Sequence, residues 1–199
     1  MSLGRNVNLG TGRCDSAAAG CAWLRAYVTD VRAQHPDARL LAVFDIDDTL
    51  LVETPSGELV SNTPVVDLYH HCLNVGVKVH IVTARSRHAR SATLEDLHGA
   101  GVEGWRDLHM MHDRLAVDDV APWKERIRWH TWIASRGDDD AARLLFTVGD
   151  QWWDLLGTDE TIEQAQDMYG DDENATILLT HPPGMEPAEI LLKLPSHRR

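Results

Sequence analysis

Leu40-Leu41-Ala42-Val43-Phe44-Asp45-Ile46-Asp47-Asp48-Thr49-Leu50 decides how this chain is read. A short, unbroken apolar run carrying Val and Phe passes directly into a group of carboxylates. Such a run is a strand buried on both faces, as in a parallel sheet. Acids at its end belong where a buried strand delivers its carboxyl edge, the side of an α/β sheet on which ligands bind.

The same cadence recurs. Val77–Val82 runs into Thr83, Leu108–Met111 is a weaker run, Leu144–Val148 ends in Gly149-Asp150, and Ala175–Leu179 ends in Thr180. Helical stretches lie between them at Pro64–Val75, Arg87–His98 and Trp123–Ser135, with a short one after Asp150. Strands alternating with helices of this length imply βαβ units, so the expected fold is α/β, a Rossmann-like three-layer sandwich around a parallel sheet of about five strands. Ahead of this, Asp15–Gln34 carries Ala22, Trp23, Ala26, Tyr27 and Val31 at helical spacing, with Asp15 or Ser16 as N-cap and Pro36 beyond its end. Residues 1–14 read as a loose arm. The chain therefore divides into an N-terminal arm and helix at 1–37 and a core at 38–199.

At 199 residues, with 43% hydrophobic and 25% charged residues, the composition is that of an ordinary folded domain. No run approaches the ~18 apolar residues that span a bilayer, which excludes an integral membrane protein. The net charge of −12 argues against long-range attraction to nucleic acid or anionic lipid. Three cysteines, Cys14, Cys21 and Cys72, form no disulfide framework and read as small buried side chains in a reducing compartment. The N-terminal residues show no apolar signal core, so a cytoplasmic location is expected. The acidic stretch Thr158–Asn174 reads as a solvated loop or helix face, and Asp138–Asp140 as a turn. The histidines, including His70-His71 and His109/His112, show no reinforced ligand spacing and read as surface or core residues.

Three carboxylates at one strand end repel one another unless a cation neutralises them or their pKa values are driven apart. Metal binding combined with acid/base chemistry is the use that fits; capping of the following turn is the alternative. The other strand ends favour the first. Thr83 offers a neutral hydroxyl to an anionic oxygen, with Arg85 close behind, and Asp150 and Asp154 add hard oxygen ligands of the kind that select Mg²⁺. The chain holds only three lysines, Lys78, Lys124 and Lys193. Lys124, at the start of the helix preceding the strand that ends in Asp150, is the one placed to neutralise this charge.

DIDDTL (45–50), VTAR (82–85), the lysine of WKERIR (123–128) and GDQWWD (149–154) are, in this order, similar to the motifs of the haloacid dehalogenase (HAD) superfamily of phosphotransferases. The nearest likeness within it is the acid phosphatase subclass, which includes plant and bacterial class B enzymes. Residues 101–105 (GVEGW), 149–157 (GDQWWDLLG) and 191–196 (LLKLPS) support it, and the resemblance covers roughly 38–196. It implies a HAD-like core and a Mg²⁺-dependent phosphomonoesterase. Asp45 matches the nucleophile, which forms an aspartyl-phosphate, and Asp47 the general acid/base. Lys124 completes the catalytic set. Thr83, Ala84, Arg85 and Lys124 match the phosphate-binding positions, and Asp45, Asp47 (through its carbonyl), Asp150 and Asp154 the metal site.

Between Asp48 and Thr63 there is room for a short flap, a hairpin turning at Pro55-Ser56-Gly57. Asp113–Pro122 is too short for a cap domain, so the site is expected to be open or closed by a partner subunit, as in a homodimer. An open site admits small phosphate esters, nucleotides included. A polynucleotide 3′-end phosphatase needs a basic groove, for which the sequence offers only Arg85, Arg87 and Arg90, so nucleic acid is not favoured. A non-catalytic storage or scaffold relative is the alternative from another class. Trp152 and Trp153 either wall the site for a stacked ring or pack their helix onto the sheet.

Overall fold

A computed structural model describes residues 11–136, 142–170, 175–180 and 189–195. Asp138–Asp140 and the first ten residues of the expected arm lie outside the described residues, as do the last four of the acidic stretch and Ser196. The strands are β1 (Thr11–Cys14), β2 (Arg39–Phe44), β3 (Leu51–Glu53), β4 (Leu59–Ser61), β5 (Lys78–Ser86), β6 (Asp107–Met111), β7 (Ala142–Gly149), β8 (Ala175–Thr180) and β9 (Glu189–Lys193). The helices are α1 (Ala17–Gln34), α2 (Thr63–Asn74), α3 (Arg90–Gly99), α4 (Val120–Arg136), α5 (Trp152–Leu155) and α6 (Asp159–Tyr169).

Seven strands form one sheet in the order β1-β8-β9-β7-β2-β5-β6, and β3 and β4 make a separate hairpin. The run from β9 to β6 is parallel throughout, with β2 between β7 and β5. The apolar run at Leu40–Phe44 is thus the buried central strand. Its side chains alternate between two cores: Leu40, Ala42 and Phe44 face a cluster with Leu24 of α1 and Leu68 of α2, whereas Leu41 and Val43 face Trp123 and Trp132 of α4. A third cluster seats α5 and α6 on Leu178 and Leu191 of the sheet. Helices therefore cover both faces, the three-layer arrangement such a sheet requires.

Two expectations are corrected. Thr11–Cys14 is not loose: it pairs antiparallel with β8. The strand at Ala175–Thr180 lies antiparallel to β9, and β9 holds the place in the parallel set next to β7. Neither β1 nor β9 announces itself in sequence. β1 is polar and extended only because an edge is available, and β9 has too few residues to distinguish strand from buried helix. The acidic stretch contains α6, N-capped by the Thr158 hydroxyl, and the segment at Arg87 opens with a 3₁₀ turn before α3.

The expected flap is present. β3 and β4 pair antiparallel with Val52 opposite Val60, and the turn between them uses Gly57 at φ +81°, a conformation glycine adopts without a Cβ penalty. No helix among the described residues is long and apolar enough to cross a membrane.

The Ser16 hydroxyl N-caps α1, accepting from Ala19 N, and Cys21, Leu24 and Val28 enter the same core as β2. The N-terminal helix thereby packs into this core. Leu24→Ala is expected to lower unfolding free energy by about 2–5 kcal/mol, read by urea denaturation. A loss below ~1 kcal/mol would mean that α1 merely lies on the surface.

Candidate active site

The carboxyl ends of β2, β5 and β7 meet beside the amino end of α4. Asp45 N donates to the Val148 carbonyl at 3.0 Å, extending the β2–β7 pairing by one residue and setting Asp45 beside Gly149-Asp150. The chain then turns: Thr49 N and Leu51 N both donate to the Ile46 carbonyl. Asp48 takes φ +52°, a left-handed conformation that Asp tolerates better than most residues. Asp45, Asp47 and Asp48 thereby line one cavity of about 190 Å³ with Ala84, Lys124, Asp150, Gln151, Trp153 and Asp154.

Lys124 binds this region together. From the first turns of α4 its Nζ donates to Asp45 Oδ1 at 2.5 Å and to Asp154 Oδ1 at 2.7 Å. All three side chains are almost wholly buried. The other oxygen of Asp154 accepts from Gln151 N at 3.0 Å within a capping box on α5, and the Gln151 amide donates to Asp150 Oδ2. Gly149 is required here, since a Cβ at that position would lie 2.5 Å from the Cβ of Asp154.

One ammonium does not neutralise this many acids. Burial raises Asp45 well above the usual carboxylate range; Lys124 opposes that rise, while Asp154 and Asp47 add to it. Burial, and next the Asp154 carboxylate, push Asp150 up to about 7. On Lys124, burial works against the charge, but Asp154 and Asp45 outweigh it and the ammonium is held protonated. Asp45, Asp150 and Asp154 are all buried and bring carboxylate oxygens within 4.8 Å of one another. A hard oxygen set with surplus negative charge fits a divalent cation such as Mg²⁺.

Asp47 takes a different position from the other acids. It lines the cavity, but its carboxylate is gripped by the Arg85 guanidinium, with Nε to Oδ1 at 3.0 Å and Nη2 to Oδ1 at 2.7 Å. Arg85 Nη1 reaches Asp96 of α3 at 2.7 Å, so Arg85 links two acids and orients Asp47. Thr83 is fully buried, and its Oγ1 accepts from Arg85 N at 3.1 Å. The two tryptophans divide the expected roles: Trp152 is buried in the cluster under α6, and Trp153 lines the cavity.

Sequence reading missed Arg128. It follows Lys124 by one helical turn, is 2% exposed, and donates through Nη1 to the Asp154 carbonyl and through Nη2 to that of Leu155 at 2.7 Å. It thereby fixes the turn that presents Asp154 to Lys124. The available signal was the i, i+4 spacing of two cations on one helix face.

Lys124→Met leaves Asp45 and Asp154 buried without their counter-charge. It is expected to destabilise the protein by about 3–5 kcal/mol in urea denaturation, with part of the loss recovered in Lys124→Met/Asp154→Asn. Unchanged stability in the single variant would contradict the pairing.

Comparison with known proteins identifies the family. The sequence model of "HAD superfamily, subfamily IIIB (Acid phosphatase)" matches residues 54–182, which include Thr83, Lys124, Asp150 and Asp154; the Asp45 loop lies just ahead of that stretch. Acid phosphatase 1 of Solanum lycopersicum is 27% identical over 144 residues, covering 61% of this chain and 54% of the relative. Vegetative storage protein 1 of Arabidopsis thaliana is 26% identical over 137 residues, covering 57% and 48%. The chain thus spans about half the length of these two relatives. The class C acid phosphatase of Bacillus anthracis shares the fold, with a TM-score of 0.58 at 14% identity over 78% of this chain and 73% of that one. The chain belongs to the acid phosphatase subfamily IIIB of the HAD superfamily.

Proposed function

We propose that this protein is a Mg²⁺-dependent phosphomonoesterase working through an aspartyl-phosphate on Asp45. The observation that carries the reading is the buried Asp45–Lys124–Asp154 array, with Asp150 beside it, opening onto a small cavity at the strand ends.

A carboxylate oxygen of Asp45 attacks phosphorus in line, forming the Asp45–O–P bond as the bond to the leaving oxygen breaks. Asp47 gives its proton to that oxygen, then takes one from water, which attacks phosphorus and restores Asp45 with release of phosphate. Lys124 and the Thr83 hydroxyl hold phosphoryl oxygens as charge spreads over them. Arg85 acts through Asp47, fixing where its carboxyl points. Asp45, Asp150 and the Asp47 carbonyl, with Asp154 alongside, would hold a Mg²⁺, which would supply positive charge to offset that of the phosphoryl group.

The surroundings of the cavity favour a compact, apolar leaving group. Ala84 and Trp153 also line a neighbouring cavity of about 600 Å³, walled by Met111, Leu115, Val120 and Ile162 and edged by Asp118, Asp159 and Glu163. Among the described residues no arginine or lysine lines it. Arg87 and Arg90 open onto a different cavity, with Leu108 and Trp123, and Arg85 is engaged by two acids. An acidic-edged apolar wall repels a polynucleotide and accepts an aryl or alkyl group, which weighs against 3′-end repair.

Phosphate release is to be measured with and without Mg²⁺ on an aryl phosphate, 5′- and 3′-nucleotides, sugar phosphates and a 3′-phosphorylated oligonucleotide. The aryl phosphate should give the highest kcat/KM and the oligonucleotide the lowest. Chelation of the metal, or Asp45→Asn, should reduce release to background while circular dichroism stays unchanged. Near wild-type turnover in Asp45→Asn would overturn the proposal. No release from any substrate would favour the non-catalytic storage reading.

A further inference from the structure

At the opposite edge of the sheet, away from the strand ends that form the candidate site, two histidines and an aspartate converge. His80 lies near the start of β5, and its register partner across the parallel pair is Asp107 of β6. Asp107 and His109 are two apart on that strand, so the pleat points both to the face on which His80 stands. The His80 and His109 rings stack with centroids 5.8 Å apart. One ligand atom from each of the three residues lies within 4.8 Å of the other two.

His80 is 5% exposed, yet among the described residues neither of its ring nitrogens has a hydrogen-bond partner; nor does Nε2 of His109. His80 Nδ1 lies 3.6 Å from Asp107 Oδ2, beyond a good hydrogen bond. A buried polar atom left without a partner costs about 1–3 kcal/mol, so three such atoms on two stacked rings require a reason. Burial lowers both imidazoles, His80 to about 4, so each presents a neutral ring with a lone pair near pH 7.

His80, Asp107 and His109 line a cavity of about 330 Å³ together with Arg39, Lys78, Arg106 and His130. We propose that His80, Asp107 and His109 form a second metal site, for zinc or a similar borderline divalent ion, with an open position facing this cavity. Two imidazoles and a carboxylate are the donors such ions prefer, in contrast to the all-carboxylate set at the other end of the sheet. Bonds of about 2.0–2.2 Å draw the set together through modest side-chain rotation. The cationic rim disfavours a bare cation but suits an ion that completes its coordination with an anion, so the fourth ligand is anionic.

The test is zinc content. The full chain is equilibrated with micromolar Zn²⁺ in excess Mg²⁺, which saturates the hard carboxylate site, then dialysed and assayed for metal per chain. Wild type should retain one zinc that is lost in His80→Ala and His109→Ala. Asp107 is exposed, so Asp107→Asn keeps the fold and should weaken retention by about tenfold or more. Absence of zinc in wild type would overturn the proposal, as would equal zinc in all variants, which points to the cysteines. So would inorganic phosphate binding in chelator that depends on His80 and His109 while zinc does not bind, because the cavity would then be an anion site.

Discussion

A single ammonium group, Lys124 Nζ, is wedged between two buried carboxylates, and the carboxyl end of the sheet depends on it. Asp45 closes the central strand, Asp154 closes a short helix after β7, and neither stays charged inside the protein without a counter-ion. The surrounding architecture serves this contact. Gly149 lets the helix turn approach the strand, Arg128 holds the carbonyls at its end, and α4 carries both cations on one face. The arrangement remains under-neutralised, and on the proposed function that surplus charge would bring a divalent ion and an incoming phosphoryl group to one place.

Much of this was legible in sequence, and the reason is local. Leu40–Phe44 can only be a doubly buried strand, so the acids after it must stand at a carboxyl edge. The alternation of apolar runs and helices fixes the layers, and the Pro55-Ser56-Gly57 turn announces a hairpin. What escaped depends on contacts distant in the chain. Thr11–Cys14 is extended because β8 offers an edge, and the antiparallel placement of β8 follows from β9 taking the slot beside β7. No local signal reports either.

The same limit applies to side chains. Arg85 and Asp47 are 38 positions apart, and their fork-like pairing appears only when β5 is laid beside β2. His80 and His109 look unremarkable in sequence because no short spacing joins them. Strand register brings them together, and register is a property of the sheet. Two tryptophans adjacent in sequence have different surroundings because successive helical positions face different directions, Trp152 into a core and Trp153 into the cavity.

On the proposed function, the Lys124-anchored Asp45 is the group that receives the phosphoryl. Rapid acid quench during turnover of an aryl phosphate, followed by peptide mass spectrometry, addresses it directly. One phosphoryl group per trapped chain is expected, on the peptide containing Asp45, at a level that falls as substrate is exhausted. Phosphate release without any trapped adduct, or an adduct on another residue, would contradict it.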